Sequence, residues 1–192
     1  MTAEPRGARA DASAAKDALR AGLRARREAS PLPDGDRTRR ALDLCAGSAV
    51  VAAYASTPGE PDCWELIDAL AARGVRVLLP RLGGKPDWAW YAGRDRLAPP
   101  WRGIPQPAGE PLGAQSLALA DWIWAPGLAG TAAGDRLGTG GGWYDRALTH
   151  SRTGTPVGML LFDGEVLDAV PTDPWDRRVD WILTASATLR AE

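Results

Sequence analysis

This 192-residue chain carries one histidine, two cysteines and no apolar run of ten residues. Cys45 and Cys63 stand 18 positions apart. That spacing belongs neither to a metal-ligand pair nor to a disulfide framework, and two cysteines fit a reducing compartment. Neither sits in a nucleophile motif, and His150, late in an expected helix, reads as a surface residue. Covalent catalysis through a Cys–His pair is left without support. Too few apolar residues stand together for a transmembrane helix, and the polar, charged N-terminus lacks the apolar core of a signal peptide. The expected setting is cytoplasmic. Twenty-three basic residues against 24 acidic ones, a formal charge of −1, exclude a global attraction to nucleic acid or to acidic membranes.

The length suits one domain with a substantial buried core. Residues 11–192 form the expected domain, and residues 1–10, which show no periodicity, an expected disordered N-terminal tail. Nine tryptophans are a high count, to be placed mostly in the core and in pocket walls.

The stretch with the most chemistry is Gly134-Asp135-Arg136-Leu137-Gly138-Thr139-Gly140-Gly141-Gly142-Trp143-Tyr144-Asp145-Arg146. Glycine admits φ > 0 and lets backbone N–H groups approach a ligand that a Cβ would hold off. Residues 143–152 read as a helix, so its unpaired N–H groups and positive dipole end face the loop, which is how a phosphate site is built. The plainer alternative is a flexible surface loop ahead of a helix. Asp145, in the first helical turn, complements the dipole whether or not it binds anything. No lysine follows the glycines, which excludes a P-loop. A dinucleotide fingerprint needs glycine where the chain has Trp143, although Asp163, about 20 residues on at the end of an expected strand, stands where that motif's acid would.

Ala12, Ala15, Leu19 and Leu23 mark a helix from Asp11. Lys16, Arg20, Arg24 and Arg27 form a basic stripe on it, by charge pattern a solvated face. A turn at 30–35 leads to a second helix as far as Ala46, capped by Asp34 or Asp36. Residues 49–55, 75–80, 121–126, 155–162 and 181–185 read as strands, and the most continuously apolar of them are of parallel-sheet type. Residues 87–91 alternate as an edge strand would. A helix over 61–73, with Trp64, Ile67, Leu70 and Ala71 inward and Gly74 as its stop, closes a β-α-β unit. Glu60 follows the carboxyl end of the first strand, where α/β sheets gather ligands; an ordinary loop acid is the alternative. Residues 97–113, rich in proline and glycine, are expected to be ordered by turns and packing. The alternation of strands and helices predicts the α/β class.

The glycine run resembles the signature of the 5-formyltetrahydrofolate cyclo-ligase family, roughly G-x-R-L-G-x-G-x-G-Y-Y-D, with Trp143 in place of the first tyrosine. Further motifs follow in the family's order: K-x-x-x-R at Lys16 and Arg20, with Arg24 or Arg26 as competitors, then a strand-end glutamate at Glu60. After these come Ile104-Pro105-Gln106-Pro107 and a closing V-P-x-x-x-x-D-x-x-V-D over 170–180. The chain departs at Gly130-Thr131, where relatives continue with Phe-Asp.

The resemblance implies a single-domain, mostly parallel, doubly wound sheet flanked by helices. It also implies ATP-dependent cyclisation of 5-formyltetrahydrofolate to 5,10-methenyltetrahydrofolate, through phosphorylation of the formyl oxygen. ATP is then expected at Lys16, Arg20, Asp135, Arg136, Leu137, Gly138, Thr139, Gly140, Gly141, Gly142, Trp143 and Tyr144. The folate is expected at Ala55, Glu60, Tyr144 and Trp101, the last read equally as a core tryptophan. Arg136 and Tyr144 act at the reacting groups, and Asp145 and Asp176 hold Mg²⁺; Asp180 reads as structural. Mg²⁺ suits one or two carboxylates plus phosphate oxygens, and phosphoryl transfer asks mainly for positioning and charge neutralisation. The partners are small molecules, with no nucleic acid or membrane, and the chain is expected to be a monomer. Two alternatives stand beside this: a cyclo-ligase-like protein that binds folate or nucleotide without turnover, and a dinucleotide-dependent oxidoreductase.

Overall fold

Strand segments without a polar face have to be covered on both sides, and the architecture follows from covering them. The structure is a computed structural model describing residues 6–29 and 36–192. In chain order it runs α1 (Arg6–Ala29), α2 (Arg37–Leu44), β1 (Val50–Ala52), α3 (Trp64–Ala72), β2 (Arg76–Pro80), β3 (Trp88–Trp90), β4 (Leu97–Trp101), β5 (Ile104–Pro107), β6 (Trp122–Ala125), β7 (Ala129–Gly130), β8 (Arg136–Leu137), α4 (Trp143–Ala147), β9 (Val157–Leu160), β10 (Trp181–Leu183) and β11 (Thr188–Arg190).

Seven strands form one sheet in the order β11-β10-β9-β6-β1-β2-β3. The five central strands are parallel, with Val51 opposite both Val77 and Trp122. The edges β3 and β11 run antiparallel to their neighbours. From β1 the chain builds outward through β2 to β3, then returns to β6 and builds the other way, so the order reverses between β1 and β6. This is a doubly wound α/β sheet. Val51, Ala52, Leu78, Leu79, Ile123, Trp124, Ala125, Met159 and Leu160 are all buried, as continuous apolar runs in a covered parallel sheet must be. Gly158 of β9 makes room for an indole, since a Cβ there would lie 2.4 Å from the Trp124 ring.

Several expectations are corrected. α1 starts at Arg6, ahead of Asp11; of the expected tail, residues 1–5 lie outside the described residues, as do the turn at 30–35 and the capping candidate Asp34. Asp36 makes no side-chain capping bond and pairs with Arg39 instead. On α3, Leu66 is buried in place of Ala71, which is exposed. Residues 97–113 contain the hairpin β4–β5, irregular in register between Ala98 and Trp101. The helix expected over 143–152 is five α-helical residues followed by a 3-10 turn to His150.

The largest correction concerns α1. Its buried residues include Lys16, Leu23 and Arg27, whereas Ala15 is exposed. Of the basic stripe, Lys16 and Arg27 thus face the protein and Arg20 is half-buried, while Arg24 stays exposed. Leu23 packs in a small second cluster with Leu128, Ala129, Leu137 and Val170.

Candidate active site

In open α/β sheets the crevice at a switch point, beyond the carboxyl ends of the strands, is where ligands bind. Here the chain leaves β6 through Pro126 and Gly127, turns back in the two-stranded ribbon β7–β8, and enters the glycine loop. A cleft of about 380 Å³ opens at this point. Lys16 and Arg20 of α1, Arg136 of β8, residues 138–142, and the carboxylates Asp145, Asp173 and Asp176 line it.

The loop's carbonyls are taken up by arginines. Arg20 Nε donates to Gly138 O at 3.0 Å, Arg24 Nη2 to Thr139 O at 3.0 Å, and Arg146 Nη1 to Gly141 O at 3.2 Å. None of the five amides over 138–142 donates a hydrogen bond to a described partner. Unspent N–H groups beside three cationic side chains make an anion site. Gly140 sits at φ +108°, a conformation side chains rarely adopt, and a Cβ there would press on the Arg20 guanidinium at 3.4 Å. Since α4 is only five residues long, the loop amides rather than a helix dipole carry this capacity.

Arg136 and Lys16 each meet carboxylates. Arg136 Nη2 donates to Asp145 Oδ1 at 2.5 Å, and its Nη1 to Pro126 O at 3.2 Å. Lys16 Nζ donates to Asp173 Oδ2 at 2.5 Å and to Asp176 Oδ2 at 2.6 Å. Burial alone would lower the Lys16 pKa, but the hydrogen bonds to Asp173 and Asp176 outweigh it and hold the ammonium above its ordinary value. Asp145 Oδ2 and Asp176 Oδ1 make no hydrogen bond to a described partner. Among the described residues no group of three or more His, Cys, Asp or Glu side chains is arranged to hold a metal unaided. Two half-engaged carboxylates are the donor set Mg²⁺ takes when phosphate oxygens and waters complete its shell.

Behind the glycine loop stands an aromatic group that was only half visible in the sequence. Trp143 and Tyr144 pack edge-on against each other at 5.0 Å and against Trp88 of β3 at 5.3 and 6.3 Å. The Tyr144 hydroxyl and the indole N–H groups of Trp88 and Trp143 are buried without a described hydrogen-bond partner. Burial, with smaller contributions from Cys63 and Glu60, pushes the Tyr144 pKa well above its ordinary 10.0.

The remaining expected residues fall in different places. Ala55 is buried just beyond β1. Glu60 does not line the cleft; its Oε2 accepts from the Thr57 amide at 2.7 Å and from the Thr57 hydroxyl at 2.8 Å, closing the turn that follows β1. Asp135 does not line the cleft and pairs with Arg178 at 2.8 Å. Trp101 is 40% exposed on the β4–β5 hairpin under the Arg102 guanidinium, away from the cleft. Asp163 accepts from the amide and hydroxyl of Ser186, so it braces the β10–β11 turn rather than waiting for a ribose. Asp180 accepts the Val157 amide at 2.8 Å and ties β10 to β9. Burial raises the Cys45 thiol to about 11 and the Cys63 thiol to about 12, so neither is a nucleophile.

Sequence reasoning missed Asp173, Trp88 and the buried pair Arg27–Glu165. Asp173 stands in the same closing segment as Asp176 and its own spacing marks nothing. The other three acquire partners only through the fold.

Comparison with known proteins identifies the family and the fold. The model of the 5-formyltetrahydrofolate cyclo-ligase family matches residues 12–185. A 5-formyltetrahydrofolate cyclo-ligase of Mycolicibacterium smegmatis is 36% identical over 141 residues, covering 70% of this chain and 72% of its own. That of Escherichia coli K12 is 32% identical over 143 residues, covering 71% and 78%. The solution structure of Aquifex aeolicus 5,10-methenyltetrahydrofolate synthetase matches with a TM-score of 0.72 at 25% identity, over 91% of this chain and 92% of that one. A 5,10-methenyltetrahydrofolate synthetase from Mycoplasma pneumoniae, 18% identical, shares the fold with a TM-score of 0.70 over 89% and 99%. With its glycine loop, its paired carboxylates and its switch-point cleft, this chain belongs to the 5-formyltetrahydrofolate cyclo-ligase family and is an enzyme of it.

Proposed function

We propose that the protein converts 5-formyltetrahydrofolate to 5,10-methenyltetrahydrofolate with consumption of ATP, releasing ADP and phosphate, and that the glycine-loop cleft binds the nucleotide's phosphates. The observation that carries the reading is the run of five amides over 138–142, none with a described hydrogen-bond partner, in the cleft that Lys16, Arg20 and Arg136 also line. Amides held this way need no reorganisation to receive an oxyanion, and the arginine bonds to the loop carbonyls keep them in place. Bound Mg²⁺ would supply charge neutralisation at the phosphates, held by Asp145 and Asp176.

The folate lies on the aromatic side. Tyr144 and Trp143, which line the cleft and are backed by the fully buried Trp88, offer donors and apolar ring surface that suit a flat heterocycle rich in acceptors. Glu60, whose charge contributes to raising the Tyr144 pKa, and Ala55 are assigned to the folate as well. The formyl oxygen attacks the γ-phosphorus and displaces ADP; N10 then attacks the activated carbon, loses its proton, and phosphate departs as the ring closes. Arg136 and Lys16 neutralise the charge passing from ATP to the formyl oxygen, and Tyr144 donates at the boundary between the two substrates. None of these steps needs a protein nucleophile, in keeping with two protonated, buried cysteines.

The test is a spectrophotometric assay of methenyl absorbance with 5-formyltetrahydrofolate, ATP and Mg²⁺, each omitted in turn. Absorbance that appears only with all three supports the reading. Binding of folate or nucleotide in thermal-shift assays without turnover assigns the protein to the non-catalytic alternative. Stabilisation by NAD(P) alone assigns it to the oxidoreductase one.

A further inference from the structure

Arg27 and Glu165 form an ion pair that the proposed chemistry does not use, with side chains only 5% and 4% exposed. Arg27 Nε donates to Glu165 Oε1 at 2.6 Å, and Arg27 Nη2 to Glu165 Oε2 at 2.8 Å. The same Nη2 reaches Gly127 O at 2.9 Å, and Glu165 Oε2 also accepts the Phe162 amide at 3.0 Å. For stability alone such a pair is a poor device, because desolvating two charges cancels most of their attraction and apolar side chains of similar size do as well. What it provides is direction: four bonds that tolerate one arrangement.

That arrangement bears on the cleft by two routes. On α1, Lys16, Arg20, Arg24 and Arg27 fall within an arc of about 80° on one face, so fixing Arg27 fixes the rotation and height of the residues that reach the loop. At the end of β6, consecutive carbonyls are held from two sources, Pro126 O by Arg136 and Gly127 O by Arg27. A shift of the Arg27 guanidinium therefore moves the seat of Arg136 as well.

We propose that Arg27 and Glu165 are positioning residues that set Lys16, Arg20 and Arg136 in register for the nucleotide's phosphates. The inference rests on the nucleotide reading of the cleft. Its test uses the full-length protein and the paired variant Arg27→Met/Glu165→Leu, which removes both charges and leaves neither buried alone. The variant should melt near the wild-type temperature, bind MgATP by calorimetry at least about tenfold more weakly, and keep its KM for 5-formyltetrahydrofolate near the wild-type value. Wild-type affinity for MgATP in the folded variant would reduce the pair to packing. Equal losses for both substrates would mean general loosening and would likewise overturn the proposal. Should the paired variant not fold, Arg27→Lys, which keeps the charge pair but lacks the fork that also reaches Gly127, decides: weaker MgATP binding at an unchanged melting temperature supports positioning, and unchanged binding refutes it. A wild-type protein that binds no MgATP would bring down the nucleotide reading and this proposal together, an outcome distinct from failure of the variants alone.

Discussion

Lys16 Nζ lies 2.6 Å from Asp176 Oδ2, joining residues 160 positions apart in the chain. Asp173 completes the bridge at 2.5 Å, and the two carboxylates hold the ammonium pKa above its ordinary value of 10.5 against the opposing effect of burial. A folded-state pKa above the unfolded one means that the folded chain binds the proton more tightly. The associated stability is therefore complete below pH 10.5 and is lost as pH rises through the folded value. Thermal melts across this alkaline range should fall more steeply for the wild type than for Lys16→Met. Parallel curves would show that the bridge carries no proton-linked stability.

The bond between Arg136 and Asp145 makes a second, separate prediction. The Arg136 side chain is 3% exposed and its Nε has no described hydrogen-bond partner, so deleting the carboxylate leaves a cation buried alone. Asp145→Ala should cost about 3 kcal/mol, a fall of roughly 6–12 °C in melting temperature, as well as turnover. Asp145→Asn keeps an acceptor for the guanidinium and should melt near the wild type while remaining inactive. Turnover at the wild-type rate in the Asn variant would take this residue out of the metal site.

What could be read from sequence, and what could not, divides along the range of the interactions. The central strands were legible because an apolar run with no polar alternation has one stable place in an α/β fold, and 75–80 and 121–126 became β2 and β6 with their ends shifted by a residue or so. The glycine loop was legible because its signal is local. The hairpin β4–β5 was not, since Pro99, Pro100, Pro105 and Pro107 lack the N–H a ladder needs and read as turns. The basic stripe of α1 read as solvated because charge pattern alone favours water. Its partners Glu165, Asp173 and Asp176 lie 138 to 160 positions away, a separation at which helical periodicity carries no information.

Glu60 tests whether a carboxylate that closes a turn also meets the folate. Both of its hydrogen bonds fall on Oε2, leaving Oε1 uncommitted among the described residues. Glu60→Gln can keep the Thr57 bonds through its amide oxygen while losing the charge. If the carboxylate contacts the pterin, the KM for 5-formyltetrahydrofolate should rise about tenfold, as loss of a charge-assisted hydrogen bond implies, with the KM for ATP nearly constant. An unchanged folate KM together with an unchanged melting temperature would leave Glu60 as a turn residue only.

Tyr144 offers the opposite balance between stability and function. Its hydroxyl is buried with no described partner, and burial keeps it protonated at any working pH, so it acts as a donor and never as a base. A buried donor without an acceptor destabilises the unliganded fold, because its lost hydration is not made good. Tyr144→Phe should therefore raise the melting temperature, by an amount corresponding to about 1 kcal/mol, and at the same time lower kcat/KM for 5-formyltetrahydrofolate about tenfold. The two changes have one cause, a hydroxyl left unpaired until substrate arrives. A variant that gained stability without losing activity would show that the substrate never reaches the hydroxyl; one that lost activity without gaining stability would show that the free enzyme already satisfies it.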